Sequence, residues 1–139
     1  MKTKITIDKK FTPCPESDGD EFYQNGMFVF NISKIIRYIQ KNPKVFIPEE
    51  VAVKDFRKFL SLNESHVDSV DNSNPVILAE IAPSRFNLID GQHRVEKAHR
   101  LEIETIQAYK LNVHQHIRFI TSKKAYERYV EYWNSKNGQ

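Results

Sequence analysis

Asp90-Gly91-Gln92-His93-Arg94 gathers an acid, a glycine, an imidazole and a guanidinium within five residues. The apolar run Phe86-Asn87-Leu88-Ile89 precedes it and a stretch with helical spacing follows, so the pattern predicts a strand that runs directly into a helix. A helix start leaves four backbone N–H groups without internal partners and carries about half a positive elementary charge. Such a junction is suited to anions, phosphate above all. Gly91 lacks a Cβ, so ligand oxygens can come close to the backbone. Gly91 and Gln92 are the expected amide donors, and Arg94 supplies a fork of donors that can hold two phosphate oxygens. His93 is either a further phosphate donor or a proton carrier.

Asp90 does not fit a bare phosphate site, because a carboxylate repels a phosphate. Two roles are open to it. It caps the helix through its side chain, a contribution of about 1 kcal/mol. Alternatively it holds a Mg²⁺ ion that bridges to the phosphate, since that ion usually takes one or two carboxylates together with substrate oxygens. Asp90 and His93 are therefore the candidate catalytic pair, and Asp90 the candidate metal ligand. A plain Asp cap beside a solvated His and Arg is the structural alternative for the whole stretch.

The elements that must position this junction can be followed along the chain. Residues 1–26 read as an arm or a set of loops, broken by Pro13, Pro15 and the acids Asp18, Asp20 and Glu21. Residues 27–139 read as one domain. Met27–Phe30 suits a strand, and Ile32, Ile35, Ile36 and Ile39 recur at helical spacing, with Asn31 or Ser33 as cap and an end before Asn42-Pro43. A second helix is predicted over Val53–Leu62 and an exposed connection over Asn63–Asn74. Val76–Ala82 is apolar enough to be a central strand, and Pro83-Ser84-Arg85 turns it back into the strand before the motif. A helix over Gly91–Glu102, a strand over Thr105–Leu111 and a last helix near 122–136 complete the order. The fold class expected is α+β, a small mixed sheet packed with helices. Tyr126, Tyr129, Val130 and Trp133 form the stripe by which the last helix packs.

At 139 residues the chain can bury a core without disulfides or metals. Its 40% hydrophobic and 28% charged residues argue against disorder or low complexity. No apolar run approaches the roughly 20 residues that cross a bilayer. The polar start Met1-Lys2-Thr3-Lys4 and the single Cys14 predict a cytoplasmic protein with no membrane partner. The net charge of +3 is too small to imply nucleic acid by itself. Its distribution is uneven: residues 1–83 carry 11 basic and 12 acidic side chains, and residues 84–139 carry 10 and 6. The excess lies in the half that holds the motif.

Strand, turn, strand, Asp90-Gly91-Gln92-His93-Arg94, helix and strand, in that order, resembles the ParB N-terminal/sulfiredoxin superfamily, most sharply over Pro75–Leu111. The resemblance implies the ParB/sulfiredoxin-like fold and a nucleoside triphosphate held with Mg²⁺ on the motif loop. It also implies a DNA-associated role, as a ParB-like nuclease or an NTPase-type factor. The same scaffold supports small-molecule kinases or phosphotransferases that use ATP or ADP, and a non-catalytic regulatory module is a third outcome. Sulfiredoxins carry a catalytic cysteine beside the His-Arg pair, where this chain has Gln92, so that activity is not expected. Partition proteins carry a proline- and arginine-rich box after the first helix; Asn42-Pro43-Lys44-Val45-Phe46 stands at that place without the arginine.

Weaker candidates complete the reading. Glu80, inside the central apolar strand, either faces solvent or points into a cleft beside the phosphate site, and Arg85 extends a basic rim there. His114 and His116 would share one side of an extended segment, but no Cys or further His completes a zinc site. His99 is expected at a helix surface or a core edge and His66 in a polar loop, while Cys14 has no adjacent base that would activate it.

Overall fold

The computed structural model describes residues 4–26, 28–57, 67 and 73–137. Its described elements are two small sheets, five α-helices and one 3-10 turn. β1 (Phe22–Asn25) and β2 (Phe28–Asn31) form an antiparallel ribbon, and α1 (Ile32–Lys41) follows without a loop. After β3 (Glu49–Ala52) and the single turn α2 (Val53–Phe56), the chain enters β4 (Val76–Ala82) and β5 (Arg85–Asp90). α3 (Gln92–Arg100) carries it to β6 (Thr105–Leu111), then through α4 (Val113–His116) and the 3-10 turn Ile117–Phe119 to α5 (Lys123–Lys136).

The four-stranded sheet has the order β3–β6–β4–β5. β4 pairs with β5 antiparallel and with β6 parallel, and all seven of its residues are buried. Its continuous apolar run is therefore explained, since a strand covered on both faces has no solvent side to mark with polar residues. One core packs Ile77, Ala79 and Ile81 with Phe30, Ile35, Tyr129 and Trp133. The other packs Val76 and Leu78 with Leu88, Val95 and Ala98. The two lists divide the odd and even positions of β4, as a period of two requires.

Most expected elements are present, with four differences. The N-terminal loops end in β1, whose Phe-Tyr-Gln-Asn sequence carries no apolar alternation and which pairs with β2. The preceding segment is tied to α5: Phe11 stacks on Tyr126 with ring centroids 3.9 Å apart, and the Asn134 side chain bonds both Ile5 N–H and C=O. β3 sits at the sheet edge, with two exposed glutamates that gave no strand signal. His114 and His116 lie on α4 rather than on an extended segment, because Asn112 and Gln115 form a reciprocal capping box that starts a turn there. The helix expected over Val53–Leu62 is the single turn α2, ended by Arg57 in an extended conformation (ψ 126°), and residues 58–62 lie outside the described residues, as do His66 and most of the Asn63–Asn74 connection. No helix among the described residues is long and apolar enough to cross a membrane.

Asn31 shows how the first helix is anchored. Its side chain accepts from Lys34 N–H at 3.1 Å as the cap, and its amide donates to Asp20 Oδ2 at 2.8 Å and to Pro15 C=O at 3.3 Å. That amide, with a backbone N–H from Ser17, holds the Asp20 carboxyl below its ordinary pKa. Asn31 is fully buried, so Asn31→Ala removes a cap and leaves buried groups without partners. Such a variant should lose about 2–3 kcal/mol of stability, measured by denaturant unfolding.

Candidate functional site

β5 ends at Asp90 and α3 starts at Gln92, so the motif stands at a strand-to-helix junction as its spacing predicts. Gly91 occupies the cap position with φ +109°, a conformation that L side chains rarely adopt. A Cβ there would lie 2.5 Å from Val76 Cγ1 and 2.9 Å from Arg94 Nη2. The glycine thus serves close approach as well as the turn, but the approach is to this chain's own Val76 and Arg94. The first intrahelical bond runs from Val95 N–H to Gly91 C=O, so the amides before it stand outside the helical ladder.

Asp90 does not cap the helix; no side chain does. Its Oδ2 accepts from Arg94 Nη2 at 2.9 Å, an ion pair one helical turn long. The Arg94 side chain is 15% exposed, and its Nε is buried without a hydrogen-bond partner. That is an under-used guanidinium, because Arg satisfies acceptors best through two parallel N–H groups.

Asp90 and Arg94 both line a cavity of about 380 Å³. Its floor is one row across three strands, since Ile77 registers with Asp90 on one side and with Tyr109 on the other. One wall comes from α1 through Ile36, Ile39 and Gln40. The loop after α1 adds Pro43 and Phe46, and Asn74 with Pro75 leads into β4. The cavity joins an apolar, aromatic wall to a polar corner, the mixture that small-molecule sites usually show. The Asn42–Phe46 segment therefore reaches the motif in space, although about 45 residues separate them in the chain. A larger hollow of about 530 Å³ lies elsewhere, lined in part by Lys54, His99, Glu102 and Glu104, and it holds no residue of the motif.

The other expected site residues stand apart. Gln92 and His93 are half-buried and are not on the cavity wall. Arg85 is exposed at the opposite end of the β4–β5 hairpin. Glu80 neither faces solvent nor enters a cleft. It is 1% exposed, and its carboxylate accepts from Ser84 N–H at 2.9 Å and from Val113 N–H at 3.2 Å. It ties the hairpin turn to the start of α4, a role that a buried carboxylate can fill only with such donors. Its carbonyl accepts from Tyr129 Oη at 2.6 Å and lies 2.6 Å from His116 Nε2. His116 is fully buried, so it is a core residue and not half of a metal pair with exposed His114. Cys14 is also buried, which pushes its thiol pKa up and leaves it unreactive. Gln40, Asn74 and Tyr109 line the cavity without any local sequence signal; only the fold brings them to Arg94.

Among the described residues no three His, Cys, Asp or Glu side chains gather to hold a metal ion. Asp90 alone at the polar corner fits a Mg²⁺ that arrives on phosphate oxygens, and does not fit one held by the protein by itself. Comparison with known proteins finds no matching family model, no similar curated protein and no similar solved structure.

Two outcomes follow from this geometry. Gly91→Ala should cost about 2–4 kcal/mol in thermal or denaturant unfolding, from backbone strain and the contact with Val76. Burial lowers the His116 pKa to about 4, against 6.5 for the unfolded residue, despite the opposing effect of Glu80. The unfolded chain then binds the extra proton between those values, so stability falls as pH falls through that window, by about 3 kcal/mol in total. His116→Phe should flatten this part of the pH–stability curve, leaving the acid limb below it to Asp20 and to Glu96, whose pKa the Arg57 hydrogen bond lowers.

Proposed function

We propose that this chain binds a nucleoside triphosphate at the cavity beside Arg94, in a domain of the ParB/sulfiredoxin type. The observation that carries the reading is the half-buried Arg94 guanidinium on the cavity wall, held by Asp90 through a single nitrogen, with α3 starting beside it. The order of hairpin, helix and strand supports the resemblance, and the Asn42–Phe46 segment borders the same cavity.

Each part of the wall has a task in this reading. Arg94 grips phosphate oxygens, and the positive end of the α3 dipole, one turn from it, favours the same charge. Tyr109, Phe46, Ile36 and Pro43 offer an apolar surface for a flat base, with Gln40 and Asn74 near enough to bond its polar edge. Bound Mg²⁺ would neutralise phosphate charge, and Asp90 is the carboxylate placed to meet it.

Binding, rather than turnover, is the function these residues support best. No histidine, cysteine, serine or threonine lines this cavity among the described residues, and His93 stands off its wall. A regulatory nucleotide-binding module is therefore preferred to a small-molecule kinase. DNA association would enter as the downstream partner of such a module. Two cations of the basic half, Arg94 and Arg100, already face carboxylates of their own helix region, which reduces the charge available to a duplex.

Calorimetry with ATP, ADP, CTP and GTP in the presence of Mg²⁺ tests the proposal. Arg94→Ala should weaken nucleotide binding by about 1.5–3 kcal/mol, roughly ten- to a hundredfold. Unchanged affinity in a folded Arg94→Ala protein would remove the central residue and the reading with it.

A further inference from the structure

Resting on that nucleotide reading, we propose that Asp90 is a built-in competitor for the anion, which makes nucleotide capture conditional on a divalent cation. The Asp90–Arg94 contact differs from the structural ion pairs nearby. Glu96, on the same helix, is shared by two arginines through both of its oxygens, with Arg57 Nε at 2.9 Å and Arg100 Nε at 2.8 Å, and none of the three lines the cavity. Asp90 meets Arg94 through one oxygen and one terminal nitrogen, and both residues border the cavity. The contact leaves Arg94 Nε buried and unbonded, so it does not satisfy the guanidinium. A phosphate entering the cavity meets Arg94 on the side where Asp90 already holds a terminal nitrogen, so the two anions compete for the same guanidinium.

Charge then sets the order of events. With Asp90 on Arg94 the polar corner is close to neutral, and the same carboxylate repels an incoming phosphate. Asp90 gives up Arg94 when its carboxylate has another cation to pair with. The closely packed Gly91 turn fixes the spacing of the two side chains, so the pair opens by side-chain rotation rather than by movement of the turn. A metal-free nucleotide must break the ion pair and accept the repulsion, whereas a nucleotide that brings its divalent cation supplies the replacement partner.

The test is calorimetry of the full chain with ATP, with and without MgCl₂, on wild type and Asp90→Asn, with thermal unfolding of both. In wild type Mg²⁺ should raise affinity by about tenfold or more. Asp90→Asn should bind metal-free ATP about as tightly as wild type binds ATP with Mg²⁺, and should respond to Mg²⁺ by less than about twofold. Asp90→Ala should behave alike, which separates loss of charge from any bond the new amide makes. A variant that keeps the wild-type Mg²⁺ response, or that binds metal-free ATP more weakly, overturns the competitor role while leaving nucleotide binding intact. Wild-type affinity that is indifferent to Mg²⁺ does the same. Failure of both proteins to bind nucleotide under any condition overturns the underlying reading and this inference together.

Discussion

A strand covered on both faces has no water to satisfy its polar groups, and β4 imposes that condition on everything around it. Its seven buried residues need β5 and β6 for their backbone hydrogen bonds, and two separate apolar cores for their side chains. The one charged residue in the run, Glu80, is tolerated because Ser84 and Val113 N–H groups reach its carboxylate. Tyr129 and His116 then gather at its carbonyl, drawing α4 and α5 onto the sheet. Burial raises the Tyr129 phenol well above its ordinary pKa and keeps His116 neutral, so the two side chains at the Glu80 carbonyl stay uncharged.

The candidate site is a consequence of the same strand. Ile77 lies between Asp90 and Tyr109 in register, so the end of β5 and the middle of β6 meet at one floor. α1 covers that floor incompletely, and the uncovered part is the cavity. Val76 crowds Gly91 from below, which admits only glycine and places the Arg94 guanidinium across the turn. Packing in the core thereby sets the position of a charge at the surface of a cavity. Two acidic residues divide the electrostatic work: Glu96, within α3, ties the helix to Arg57 and pairs with Arg100 one turn on, and Asp90, just before α3, borders the cavity.

Where sequence expectation and structure part, the reason is distance along the chain. Glu80 reads as an acid in an apolar strand whichever way it points, because its partners Val113, His116 and Tyr129 lie 33 to 49 residues away. His114 and His116 have the spacing of same-side residues only if the backbone is extended, and the Asn112–Gln115 capping box makes it helical instead. Asp90 was legible as a residue needing a partner, yet its partner is the arginine of its own motif rather than a helix amide. β1 and β3 carry no apolar alternation, so edge pairing alone reveals them.

Local rules were enough for the parts governed by neighbours in the chain. The period of Ile32 to Ile39, the end of that helix before Pro43, the central apolar run, the turn at Ser84 and the strand-to-helix junction at Gly91 all follow from spacing and backbone sterics within a few residues. Tertiary structure alone decided which faces those elements share: that Glu80 and His116 are core, and that Gln40, Asn74 and Tyr109 line one cavity with Arg94. Such contacts depend on which surfaces are buried together, and burial is a property of the packed chain that no short window of sequence contains.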